Sequence, residues 1–141
     1  MKLKEYFASV KGEIQERHFW KSVRCEFLGT LLYVLFGCAA TVTWDRDKVD
    51  PNRILRISSS FGLIEFVLVS ALSHASSSQF NPAVTLSLLC TKYITLFRAT
   101  CYVFVQLVAA LLSSAVLYGL VPEYSRQNLA VNEITPGNFT F

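Results

Sequence analysis

Apolar residues in this chain gather into three long stretches, and the charged residues are crowded between them. Positions 27–44 are 18 residues without a charge, positions 57–91 are 35 residues with Glu65 as their one charge, and positions 99–122 are 24 residues with none. A helix needs about 20 mostly apolar residues to cross a hydrocarbon core of roughly 30 Å. The first and third stretches therefore predict single membrane-spanning helices, over about 23–44 and 98–120. The middle stretch is too long for one crossing and too short for two with an outside turn. It also breaks internally. Positions 57–73 read as a span, with Ser58 and Gly62 as a small-xxx-small pair suited to close helix packing. The polar run His74-Ala75-Ser76-Ser77-Ser78-Gln79-Phe80 follows, and then a second apolar piece to Thr91.

Asn is a favoured N-cap, and Pro is favoured at the first helical position because its missing N–H would be unpaired there anyway. Asn81-Pro82 therefore starts a new helix, which has about ten residues before Lys92 and a rise of roughly 15 Å, half a crossing. An apolar half-helix of that length predicts a re-entrant segment over 74–91. A backbone break at membrane depth is tolerated only where protein buries it or water lines it, so the break marks a pore or a substrate site. The fold class expected is an all-α membrane protein of three transmembrane helices plus one re-entrant half-helix.

Composition agrees with this pattern. Hydrophobic residues make up 52% of the chain and charged residues 16%, against roughly 25% charged in soluble domains, and the mean hydropathy is +0.40. The net charge of +3 is scattered over short segments and forms no stripe for nucleic acid. Positions 1–22 precede the first span and are too charged for a cleaved signal. Tyr6, Val10, Ile14 and Phe19 fit an amphipathic surface helix ending at Phe19-Trp20, and a solvated tail is the alternative. The four cysteines sit in or beside apolar segments without a C-x-x-C pair and behave as small hydrophobes. His74 has no second ligand at useful spacing, so no metal and no cofactor is expected.

With three spans and one re-entrant loop, the N-terminus and the 92–98 segment share a side. Eight Lys and Arg fall there, against five (Arg46, Lys48, Arg53, Arg56 and Arg126) on the other. The positive-inside rule then puts the N-terminus in the cytoplasm. It puts 121–141 outside, where Asn138-Phe139-Thr140 is a candidate glycosylation sequon.

Asn81-Pro82-Ala83-Val84-Thr85, on a half-helix behind a Ser-rich loop, resembles the first signature of the aquaporin (major intrinsic protein) family. Glu26-Phe27-Leu28-Gly29-Thr30 resembles the family's first helix, Phe61-Gly62-Leu63 its second, and Phe97-Arg98-Ala99 with Gln106 its third. The match runs from about Lys21 to Leu120. The resemblance implies a channel for water or small neutral solutes in the bilayer, not an enzyme. Such a channel has two inverted halves whose half-helices meet at the pore midplane, and the family implies a tetramer. Asn81, Pro82 and Ala83 would then sit at that midplane. Phe61 would line an outer constriction, or else pack toward lipid. Glu26 would brace the re-entrant loop by accepting backbone N–H bonds, or else snorkel to the interface. His74, Gln79 and Gln106 would support the loop and its neighbours.

Three departures stand out. Ser76-Ser77-Ser78-Gln79 replaces the family's usual Ser-Gly-x-His, which matters if the lost glycine supplied a positive φ. Ala109 stands where the third helix usually has glycine. Glu65 lies one helical turn from Phe61, on a wall the family usually keeps apolar. An intramembrane carboxylate is costly unless paired or wetted, so Glu65 implies a hydrated, cation-attracting lumen or a salt bridge to a missing half. No second Asn-Pro-Ala occurs. Three readings follow: a fragment of a working channel, a non-conducting short form that associates with a full-length channel and regulates it, or a half that pairs with itself. Inverted symmetry disfavours the last.

Overall fold

The computed structural model describes residues 3–42 and 51–128. Asn138, Arg46, Lys48 and positions 129–141 lie outside the described residues. The elements are α1 (Leu3–Gln15), α2 (Arg17–Ala39), α3 (Arg53–Leu72), α4 (Pro82–Cys90), α5 (Leu96–Leu120) and a short 3-10 helix (Glu123–Asn128). Three of them, α2, α3 and α5, are long and apolar enough to cross a membrane. Their 23, 20 and 25 residues rise about 35, 30 and 38 Å. The nine residues of α4 rise about 14 Å, half of that depth.

The N-terminal segment is helical, but α1 ends before Phe19-Trp20. Glu16 takes an extended conformation (φ −80°, ψ 121°) and α2 starts at Arg17. The reason is packing. Phe19 is fully buried with Val23 and Tyr102, with Phe97 and Cys101 against them. Phe19 therefore belongs to the first spanning helix and not to a surface helix. Trp20 Nε1 donates to the Ile14 carbonyl at 2.8 Å, closing the corner.

The body of the fold is the α2–α5 pair. Buried positions on α2 are Phe19, Ser22, Val23, Glu26, Gly29, Thr30 and Gly37. Those on α5 are Ala99, Tyr102, Gln106, Ala109, Ser113 and Leu117. Both sets recur every three to four residues, so each forms one stripe. Small residues at the seam allow close approach, and Ser113 Oγ donates across it to the Leu31 carbonyl at 2.7 Å. The seam has an apolar cluster at each end, Phe19–Val23–Tyr102 and Val42–Leu117–Val121. Its middle is polar, and there Glu26 and Gln106 meet.

Helix α3 is attached more lightly, with Leu68 as its one buried residue among the described residues. It meets α2 through Phe61, whose ring lies against Gly37 and edge-on to Tyr33, with centroids 5.5 Å apart. The close approach therefore uses a glycine of α2. On the Ser58–Gly62 face expected to pack, a Cβ added at Gly62 would meet no other element within 4 Å among the described residues. Helix α4 ends in a left-handed cap at Lys92 (φ 59°). There Tyr93 N–H bonds to the Leu88 carbonyl and Lys92 N–H to that of Leu89, both at 2.9 Å, which is the Schellman pattern. Glu13 accepts from Thr95 Oγ1 at 3.1 Å and lies 3.6 Å from Arg98 Nε. The N-terminal helix and the 92–98 segment therefore share one end of the molecule.

Candidate functional site

The site is built around the break between α3 and α4. Asn81 is extended (φ −147°, ψ 126°) and caps α4, its Oδ1 accepting from Ala83 N–H at 2.9 Å, with Pro82 opening the helix. That bond uses the carboxamide oxygen and leaves the Nδ2 donors without an acceptor among the described residues. Asn81 and Ala83 are exposed in this chain, and Pro82 is half-buried. The positive end of the α4 dipole opens at the same place.

Beneath the break lies Glu26, fully buried. Its two oxygens accept from Gln79 N–H at 3.0 Å, from Phe80 N–H at 2.8 Å and from Gln106 Nε2 at 3.0 Å. Gln106 Nε2 also reaches Thr85 Oγ1 at 3.1 Å, and that hydroxyl donates to the Asn81 carbonyl at 3.1 Å. Glu26 on α2, Gln106 on α5 and Thr85 on α4 thus clamp the loop and the start of the half-helix. Buried backbone donors are shut off from water, so each must find a partner in protein. Glu26 supplies it for two of them.

The clamp holds the loop in conformations that ordinary residues avoid. Ser78 and Phe80 both have φ of 47°, in the left-handed region that disfavours side chains with a Cβ. Ser77, which stands in place of the family's glycine, is not among the positive-φ residues. A positive φ is therefore not what position 77 requires; the requirement falls on its neighbour. Phe80 is held in turn by Gly29, where an added Cβ would overlap the Phe80 ring. In the sequence Gly29 and Thr85 are visible only as motif residues. Their roles, a seat for Phe80 and a link between Asn81 and Gln106, become visible once α2, α4 and α5 are assembled.

The remaining candidates fall in two other places. Phe61 and Glu65 lie on the α2–α3 side, Phe61 against Tyr33 and Gly37. Glu65 is half-exposed and has no ion-pair or hydrogen-bond partner among the described residues. Gln79 joins the clamp through its backbone. Its side chain is 2% exposed and both carboxamide atoms lack a partner among the described residues. His74 is exposed and makes no hydrogen bond among the described residues. It lines a separate cavity at the end of the molecule that carries α1. No group of three or more metal-ligating side chains is found among the described residues.

A loop and a half-helix are thus set against three membrane-length helices and held by a buried carboxyl. Residues 13–140 match the family model described as Major intrinsic protein, a wider span than the motifs alone outlined. The chain is 40% identical over 125 residues to the lens fiber major intrinsic protein of Lithobates pipiens, covering 89% of this chain and 46% of that protein. It is 37% identical over 124 residues to the protein of that name from Homo sapiens, covering 88% and 46%. The chain belongs to the major intrinsic protein family. It spans about half the length of the curated relatives it matches.

Proposed function

We propose that this chain forms the N-terminal pore half of a passive channel for water or small neutral solutes, with Asn81, Pro82 and Ala83 at the pore midplane. The observation that carries this is the capped break. Asn81 spends its oxygen on α4 and keeps its N–H donors free, beside the positive end of the half-helix. A water oxygen arriving there meets donors, and a cation meets the unfavourable end of a dipole. Phe61, edge-on to Tyr33, would line an outer constriction of the passage. Solute identity, water or a small neutral alcohol, follows from the width that a facing half would set.

The faces of α3 and α4 left exposed, including Leu63, Phe66, Val84 and Leu86, offer apolar surface that lipid or a protein partner can cover. We assign that cover to a complementary half or to full-length channel subunits within a tetramer, in the plasma membrane with α1 on the cytoplasmic side. Where the cover is a full-length subunit, the chain acts as a non-conducting regulator of it. Stopped-flow shrinkage of proteoliposomes separates the readings. Faster shrinkage than empty liposomes with the chain alone supports an autonomous pore. Shrinkage equal to empty liposomes, with altered permeability on co-reconstitution with a full-length relative, supports the regulatory role. Co-reconstitution with the complementary half of a family relative should restore faster shrinkage, and no effect in any of the three arrangements refutes the proposal.

A further inference from the structure

The cavity at the α1 end is separate from the pore break and is built from three distant parts of the chain. It has a volume of about 280 Å³ and is lined by His18 and Ser22 of α2, by Ser73 through Ser77 of the loop, and by Tyr93, Arg98 and Tyr102. The two histidines of the chain, 56 positions apart, both face into it. No carboxylate lines it. Glu13, the acidic group nearest Arg98, sits against the guanidinium Nε at 3.6 Å.

The lining is rich in donors that the fold leaves unused. Arg98 makes one long bond from Nη1 to the Tyr102 hydroxyl at 3.4 Å, and no described residue accepts from its Nη2. The His74 ring and the hydroxyls of Ser73, Ser77 and Tyr93 have no hydrogen bond among the described residues. Ser22 Oγ is committed to the Ala75 carbonyl at 2.8 Å, and the His18 ring lies 3.5 Å from it. An arginine fork, two imidazoles and several hydroxyls around one small space match an oxyanion better than a cation or an apolar group. The volume falls just below the range of roughly 300–1,000 Å³ usual for small-molecule sites, so it suits a compact group.

We infer that this cavity binds a phosphate-type oxyanion, held between the Arg98 guanidinium and the His18 and His74 imidazoles. The ligand then staples α2, the re-entrant loop and the start of α5 together at the end of the molecule that carries α1. This inference stands apart from the pore reading, because it requires only the α2–loop–α5 assembly. The phosphate chemistry has two sources, a free phosphate and the headgroup of an anionic lipid.

The test uses the full chain in nanodiscs, read by thermal unfolding and by binding isotherms. In phosphatidylcholine nanodiscs, inorganic phosphate is compared with sodium chloride at equal ionic strength. In a second arm, nanodiscs containing phosphatidylserine are compared with phosphatidylcholine alone. Stabilisation in the first arm identifies a free phosphate and stabilisation in the second a lipid headgroup. Arg98→Gln is expected to weaken binding at least tenfold, since it removes a charged bidentate donor. If Arg98→Gln disturbs folding through Glu13, the His74→Gln and Ser77→Ala variants replace it, because neither side chain holds the fold together. Stabilisation that persists unchanged in His74→Gln and Ser77→Ala overturns the inference, as does no response to either probe.

Discussion

Replacing Glu26 should damage this protein more than any other single polar substitution in it. The carboxyl is fully buried and takes three hydrogen bonds, two from consecutive backbone N–H groups and one from Gln106. Glu26→Leu has nearly the right volume and leaves all three donors unpaired. At about 1–3 kcal/mol for each buried unsatisfied group, the loss is roughly 3–9 kcal/mol, which reaches the whole stability of a typical domain. Glu26→Gln is milder. Its carbonyl oxygen still accepts one backbone N–H, while its NH2 faces the other, and Gln106 can turn its oxygen toward that NH2. One donor is lost, at a cost of about 2 kcal/mol. Reversible unfolding in mixed micelles gives both numbers. A double-mutant cycle with Gln106→Leu should return a coupling of about 1–3 kcal/mol. If Glu26→Leu unfolds within about 0.5 kcal/mol of the parent chain, or no less stable than Glu26→Gln, the clamp does not hold the loop and the reasoning fails.

Three further substitutions probe the same structure by different physics. Gly29→Ala places a methyl group in the Phe80 ring and should cost about 1–3 kcal/mol by overpacking, whereas Gly62→Ala, with open space around it, should gain up to about 1 kcal/mol of helix propensity; equal effects in thermal unfolding would mean that the α2–loop contact is misplaced. Ser78→Gly removes the strain of a side chain at φ 47°, about 1 kcal/mol, partly offset by the freer unfolded chain, and the expected net gain of roughly 0.5 kcal/mol is read from a denaturant midpoint. Glu65→Gln removes an unpaired carboxylate from the α2–α3 side and should lower cation leak through a conducting assembly severalfold without lowering water permeability; unchanged leak in a liposome ion-flux assay would place Glu65 away from the lumen.

The sequence by itself determined a good deal. Charge-free runs of spanning length, and one run broken by a polar loop and Asn-Pro, set three membrane-length helices and a half-helix. The reason is physical: in a bilayer the backbone must satisfy itself within a helix, so hydropathy and length leave few alternatives. The cap at Asn81 was equally legible, because capping is local chemistry between a side chain and the next two residues.

The tertiary structure decided what depends on contacts between distant residues. Glu26 had two readings in sequence, a loop brace or a charge at the interface. The distinction lies 53 and 54 positions away, at the N–H groups of Gln79 and Phe80. Phe19 was legible as apolar, but its pattern suited a surface helix, and only Tyr102 and Phe97 around it settle its place in α2. Gly62 and Gly37 look alike in sequence, yet Gly37 seats the Phe61 ring and Gly62 faces open space. The cavity shared by His18 and His74 was invisible for the same reason: nothing local records that a loop and two helix ends converge. Periodicity fixes which elements form, and the side chains that meet across them decide where a buried charge, a close approach or a cavity falls.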